Sequence, residues 1–172
     1  GKYKEAEKEF EKCILIREKI QGNEHTELGT SLFNLANLKS ELGNYEEAEK
    51  LLNRSLSIQR KANGKYGSDV ASVLQSLASL YASTGRFLKA EEGFKECKII
   101  YEKTYGKMHP QYAVMLSNEA LYYYKKGEYQ KAEELLGQAL KIQYNSFGED
   151  SPENIRPLSN LANLKIAKDN YK

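Results

Sequence analysis

Two cysteines and two histidines are the residues of this chain best suited to nucleophilic, redox or metal chemistry, and both pairs have the same spacing. Cys13 and Cys97 stand 84 residues apart, and so do His25 and His109. A disulfide would need the two Cα atoms within ~7 Å of each other. A reactive thiolate or a zinc site would need further His, Cys or charged groups at the same point. The flanking sequence offers no further His or Cys. No HExxH, CxxC, phosphate-cradling glycine loop or Gly-x-Ser-x-Gly elbow occurs. The carboxylates are spread along the chain, with nothing to place two of them in a closed, dry pocket. Asn53-Arg54-Ser55 matches a glycosylation sequon, but Ser55 falls at a core position in mid-helix. The expectation is a protein with no catalytic residues, no metal site and no cofactor.

The common spacing has a simpler cause. Gly1-Lys2-Tyr3-Lys4-Glu5-Ala6-Glu7 recurs as Gly43-Asn44-Tyr45-Glu46-Glu47-Ala48-Glu49. It returns as Gly85-Arg86-Phe87-Leu88-Lys89-Ala90-Glu91 and as Gly127-Glu128-Tyr129-Gln130-Lys131-Ala132-Glu133. A weaker start, Asp169-Asn170-Tyr171-Lys172, follows, so the period is 42 residues throughout. A fixed period of this length signals stacked supersecondary units. Cys13 and Cys97 then hold one position in different repeats, filled elsewhere by Ser55 and Ala139. It is a slot for a small buried side chain, too far between copies for a disulfide, which suits a reducing compartment. His25 and His109 both fall at breaks, where helix capping is the expected role.

Each period reads as two helices. From Tyr45 to Ala62, Ala48, Leu51, Leu52, Ser55, Leu56 and Ile58 recur at three- and four-residue spacing. Gly64 ends that helix, with Gly22, Gly106 and Gly148 at equivalent places. The second helix opens at His109-Pro110-Gln111 or Ser151-Pro152-Glu153, with proline at a first helical position. It carries Leu32, Leu35, Ala36 and Leu38 in one copy and Leu74, Leu77, Ala78 and Leu80 in the next. Glu119 stands where other copies have leucine, and Pro157 predicts a kink or a late start in the last helix. The chain is expected to be all-α, one array over residues 1–172 with breaks near 22–25, 43, 64–67, 85, 106–109, 127 and 148–151. Its first residues fall inside a repeat, so a longer array is expected. A net charge of +2, from 26 basic and 24 acidic residues, gives no case for nucleic acid as partner. No run approaches the ~18 apolar residues of a membrane span.

The leucine-then-small pairs (Leu35-Ala36, Leu77-Ala78, Leu161-Ala162), the aromatics Tyr81 and Tyr123, and the following Gly-x-aromatic resemble the tetratricopeptide repeat. The longer period, with Asn34-Leu35-Ala36-Asn37-Leu38, Asn160-Leu161-Ala162-Asn163-Leu164 and Gly106-Lys107-Met108-His109-Pro110, is similar to the repeats of kinesin light chain. The resemblance implies a right-handed α-solenoid of antiparallel helix pairs whose Leu-Ala helices line a concave groove. Carried over from the small residue after leucine, the groove positions are Thr30, Phe33, Asn37 and Ser40 in the first copy. They are Ser72, Gln75, Ser79 and Ala82 in the second, and Val114, Ser117, Leu121 and Tyr124 in the third. Arg156, Ser159, Asn163 and Ile166 complete them.

This face is depleted of charge, whereas a merely solvated helix face is rich in Lys and Glu. Phe33, Gln75, Ser117 and Ser159 stand where a chaperone-type clamp in the family would carry a lysine. The expected partner is therefore an extended peptide or a partner helix, bound by a non-catalytic adaptor or scaffold in a cytoplasmic, cytoskeleton-associated setting. The alternative is a spacer or assembly element that self-associates through exposed array ends.

Overall fold

In the computed structural model the described residues are 2–170; Gly1 of the first repeat start and Tyr171-Lys172 of the last lie outside them. Among the described residues there are eight α-helices, one short 3₁₀ turn and no strand. They are α1 (Lys2–Gln21), α2 (Thr26–Glu41), α3 (Tyr45–Asn63), α4 (Ser68–Ser83), α5 (Phe87–Thr104), α6 (Pro110–Lys125), α7 (Tyr129–Phe147) and α8 (Ile155–Asn170).

The breaks have local causes. His25 and His109 sit in extended conformation before α2 and α6, and each ring Nδ1 accepts the backbone N–H two residues on, from Glu27 at 3.3 Å and Gln111 at 3.2 Å. That bond satisfies a helix-start donor that would otherwise lack a partner. Gly64 ends α3 at φ 70°, ψ 179°, a conformation open only to glycine. At Gly43 the chain leaves α2 by a Schellman turn, with Asn44 N–H donating to Lys39 O at 2.8 Å. Ahead of α8 the 3₁₀ turn Pro152–Asn154 delays the helix, so Pro157 falls in its first turn, where a missing N–H costs no hydrogen bond. Of the two outcomes Pro157 allowed, the structure shows the late start.

Consecutive helices pack in sequence order, most extensively α2 on α3, α4 on α5 and α6 on α7. Ala36 and Ala48, Ala78 and Ala90, and Ala120 and Ala132 are all buried, and side chains this small let the paired backbones approach. The remaining core lies between pairs, with Phe94, Ile100, Met115, Leu116 and Tyr122 the largest fully buried residues of the third repeat region.

The small-residue slot proves to be a hydrogen-bonding one. Ser55 Oγ donates to Gly29 O at 2.7 Å, and Cys97 Sγ donates to Ala71 O at 3.2 Å, one period later. Ala139 has no donor to offer, and Ser117 Oγ serves the equivalent carbonyl, Ala113 O, at 3.0 Å. Burial pushes the Cys97 thiol well above its ordinary range. Cys13 departs from the buried slot expected of it: it is half-buried, with Sγ 3.6 Å from Ser31 Oγ. The reason is that the backbone of α1 packs on α2 only, with α3 reached through the Arg54–Glu18 pair at 2.6 Å, whereas α5 is held between α4 and α6. Both cysteines are free. Glu119 keeps its leucine-type position and is only 9% exposed, with Oε2 unpartnered. Burial raises its pKa, opposed by the Lys98 and Lys131 charges.

Candidate functional site

The even-numbered helices are neighbours across repeats. Among the described residues the backbones of α2 and α4, of α4 and α6, and of α6 and α8 come close, whereas α1, α3 and α5 reach one another by long side chains, as in the Arg54–Glu18 and Arg60–Glu96 pairs at 2.6 and 2.8 Å. A stack whose helices crowd on one side and splay on the other is curved, with the crowded set on the inside. The inner surface is therefore built by α2, α4, α6 and α8.

Three hollows run along it, and six positions recur in each at the 42-residue register. The first contains Asn37, Ser40, Ser76, Ser79, Leu80 and Ser83. The second contains Ser79, Ala82, Asn118, Leu121, Tyr122 and Lys125. Leu121, Tyr124, Asn160, Asn163, Leu164 and Ala167 form the third. Their volumes differ: about 570 Å³ for the first, about 150 Å³ for the second and about 410 Å³ for the third. The first extends across the groove to Phe33, Gln75 and Arg156. Behind the second, the Tyr122 and Phe94 rings meet at 5.8 Å between centroids. The third has Leu164 and Leu136 at those two positions, and the missing ring volume is left open.

Most residues expected to line the groove reach one of these hollows. Phe33, Asn37, Ser40, Gln75, Ser79 and Arg156 meet in the first, and Leu121, Tyr124, Asn163 and Ile166 in the third. Two offer almost no surface: Ala82 is 6% exposed and Ser117 3% exposed. Ser117 is small where Phe33 and Gln75 are large, and α4 closes on α6 there more than any other neighbouring inner pair does. Thr30, Ser72 and Ser117 turn their hydroxyls back to carbonyls four residues earlier, at 3.2, 3.2 and 3.0 Å. Val114 is half-buried and Ser159 exposed, and both lie outside the three hollows.

The position missed in the sequence is Ser76, Asn118 and Asn160, two residues before the small one. Its signal was present, since a polar residue at each copy interrupts an otherwise apolar stripe. Asn160 Nδ2 in the third hollow and Gln75 Oε1 in the first are buried with no hydrogen-bond partner.

Charge is kept largely outside the hollows. Lys39 Nζ lies 2.5 Å from Glu7 and 2.8 Å from Glu47, tying α2 to α1 and α3, and these bonds raise its pKa. Burial alone would raise the Glu49 carboxyl, but hydrogen bonds from Arg86, at 2.6 Å, and Tyr81 hold it below the usual carboxylate range. Lys168 pairs with Glu133 at 2.5 Å across α8 and α7. Among the described residues no three His, Cys, Asp or Glu side chains are grouped to hold a metal ion. No helix there is long and apolar enough to cross a membrane.

A groove built by alternate helices in 42-residue register agrees with the family comparison. The tetratricopeptide repeat family model matches residues 1–61 and 69–145. The chain belongs to the tetratricopeptide repeat family. Among solved structures, the array is similar to a candidate kinesin light chain of Podosopora anserina with nearly identical TPR-like repeats, known from two crystal structures. Identity is 26% in each, with TM-scores of 0.77 and 0.76, over 99% of this chain and 80% and 81% of those chains. It also shares its fold with BtubC (BKLC) from P. vanneervenii, at 20% identity and TM-score 0.80, over 98% of this chain and 67% of that one. No curated protein matches it. The array is thus a kinesin light chain-like tetratricopeptide repeat solenoid, a fold suited to binding other proteins.

Proposed function

We propose that this array is a non-catalytic interaction module that holds an extended peptide or partner helix in the groove of α2, α4, α6 and α8. It would serve an adaptor or scaffold of kinesin light chain type, in the cytoplasm and in association with the cytoskeleton. The observation that carries this reading is the row of hollows in register, lined by amide, hydroxyl and apolar side chains. An extended chain presents an N–H and a C=O at every residue, and both need partners when water is excluded. Asn, Gln and Ser supply donor and acceptor alike, while the apolar floors take side chains. Phe33, Gln75, Ser117 and Ser159 leave no cation at the clamp positions, so the reading favours an internal segment over a terminal carboxylate. The test is anisotropy titration of a labelled peptide selected on this chain from a random library, against Asn37→Ala and Tyr124→Ala. Affinities within a factor of two of the parent would refute the groove as the site.

A second reading, self-association, is favoured by the exposed Leu15, Ile16 and Ile20 on α1 and Ile155 and Leu158 on α8. Light scattering decides it, and a strict monomer at the highest soluble concentration removes it.

A further inference from the structure

The hollows share six positions but not their depth, and the pattern is open, closed, open. Tyr122, with 1% of its surface exposed, packs on Phe94 and fills the second. Lys125 closes it further by placing Nζ 2.9 Å from Ser83 Oγ. The first and third have leucine at the Tyr122 position, Leu80 and Leu164, and remain open. Each open hollow also has one buried amide atom without a partner: the acceptor Gln75 Oε1 in the first, the donor Asn160 Nδ2 in the third. No residue lining the closed hollow has such an atom. A buried polar atom left unpaired is costly, and a peptide backbone can satisfy both kinds. Apolar volume and unpaired hydrogen-bonding capacity therefore coincide at two places and are missing between them.

Resting on the groove reading, we propose that the ligand is an extended peptide with two apolar anchor side chains, one in the first hollow and one in the third. Small or polar residues cross the closed hollow. The anchors are two inner-helix steps apart. Neighbouring packed helices lie about 8–10 Å apart and an extended chain advances about 3.3 Å per residue, which sets the anchors about five to six residues apart. Both atoms are buried in the free array; with the two amides turned toward the ligand, Gln75 Oε1 accepts a backbone N–H near the first anchor, and Asn160 Nδ2 donates to a backbone carbonyl near the second.

The experiment is selection of a phage-displayed random dodecapeptide library on this chain. The expected pool has two apolar positions about five or six residues apart. A synthetic peptide from it should lose about tenfold or more in affinity when either anchor becomes serine, the loss set by burial of one leucine-sized side chain. Leu136→Phe/Leu164→Tyr copies into the third hollow the pair that closes the second. It should weaken the same peptide to the level of the single-anchor peptide while leaving the circular dichroism spectrum unchanged. If that variant fails to fold, a series of synthetic peptides with anchor spacings from three to nine residues on the parent chain gives the same answer. Enrichment with no fixed apolar spacing, or affinity indifferent to spacing and to the filled hollow, overturns the two-anchor ligand and leaves the groove reading standing. A pool that binds no better than the unselected library overturns both.

Discussion

Replacing Glu119 by the leucine found at the same register in other repeats should stabilise the array, and by an amount that depends on pH. Glu119 is 9% exposed, with Oε2 unpartnered, while Leu35 and Leu77 at the matching positions are each 4% exposed. An orphaned buried polar group costs about 1–3 kcal/mol. A buried leucine contributes about 1.5–3 kcal/mol, partly offset because the glutamate stem already fills some of that space. A net gain of about 2 kcal/mol at pH 7.5 is the central expectation, or about 4–8 °C in midpoint for a chain of this size. The pH dependence follows from the raised carboxyl pKa, caused first by burial. A carboxyl raised in the folded state adds stability that is complete below its unfolded pKa and lost as pH rises through the folded pKa. The parent should therefore lose Glu119's contribution on going from acid to neutral pH, while Glu119→Leu has no such term. The advantage of the variant should shrink towards pH 4 and be largest above pH 7. Thermal and urea unfolding by far-UV circular dichroism across pH 4–8 measures it, with Glu119→Gln separating charge from shape. A variant no more stable than the parent at pH 7.5, or a pH-independent difference, would refute the reasoning.

Other consequences can be checked with single substitutions. Gly64→Ala forces a side chain into φ 70°, ψ 179° and should cost about 1–3 kcal/mol in unfolding experiments. Gly137→Ala, within α7 and with no atom within 4 Å of an added Cβ, should instead stabilise by about 0.5–1 kcal/mol. In thiol titration with Ellman's reagent the native protein should show one accessible thiol, Cys13, and a second, Cys97, only on unfolding, as burial and the bond to Ala71 O imply. Cys97→Ser should retain that bond, as Ser55 does with Gly29 O, and change the melting midpoint by no more than a few degrees.

Much of this protein was legible from period and register. The 42-residue repeat set the helix pairs, glycine and proline marked their ends, and the pairing of His25 with His109 pointed to capping in place of catalysis. These are local matters: a left-handed glycine, a cap or an amphipathic stripe is decided by a few neighbouring residues. Which helices line the groove came from the resemblance to tetratricopeptide repeats, since the register alone does not say which helix of a pair faces inward.

What the tertiary structure decided was which of those residues remain available. Ser117 and Ala82 carry groove positions in the sequence and disappear beneath the approach of α4 to α6. Asn160 reads as part of a structural motif and emerges in an open hollow with an unpaired donor. The second hollow is closed and the third open because Phe94 and Tyr122 on α5 and α6 exchange for Leu136 and Leu164 on α7 and α8. Periodicity assigns each of these side chains to the core and stops there. Whether their combined volumes fill the space between three helices depends on how those helices pack, and only the folded array sets that.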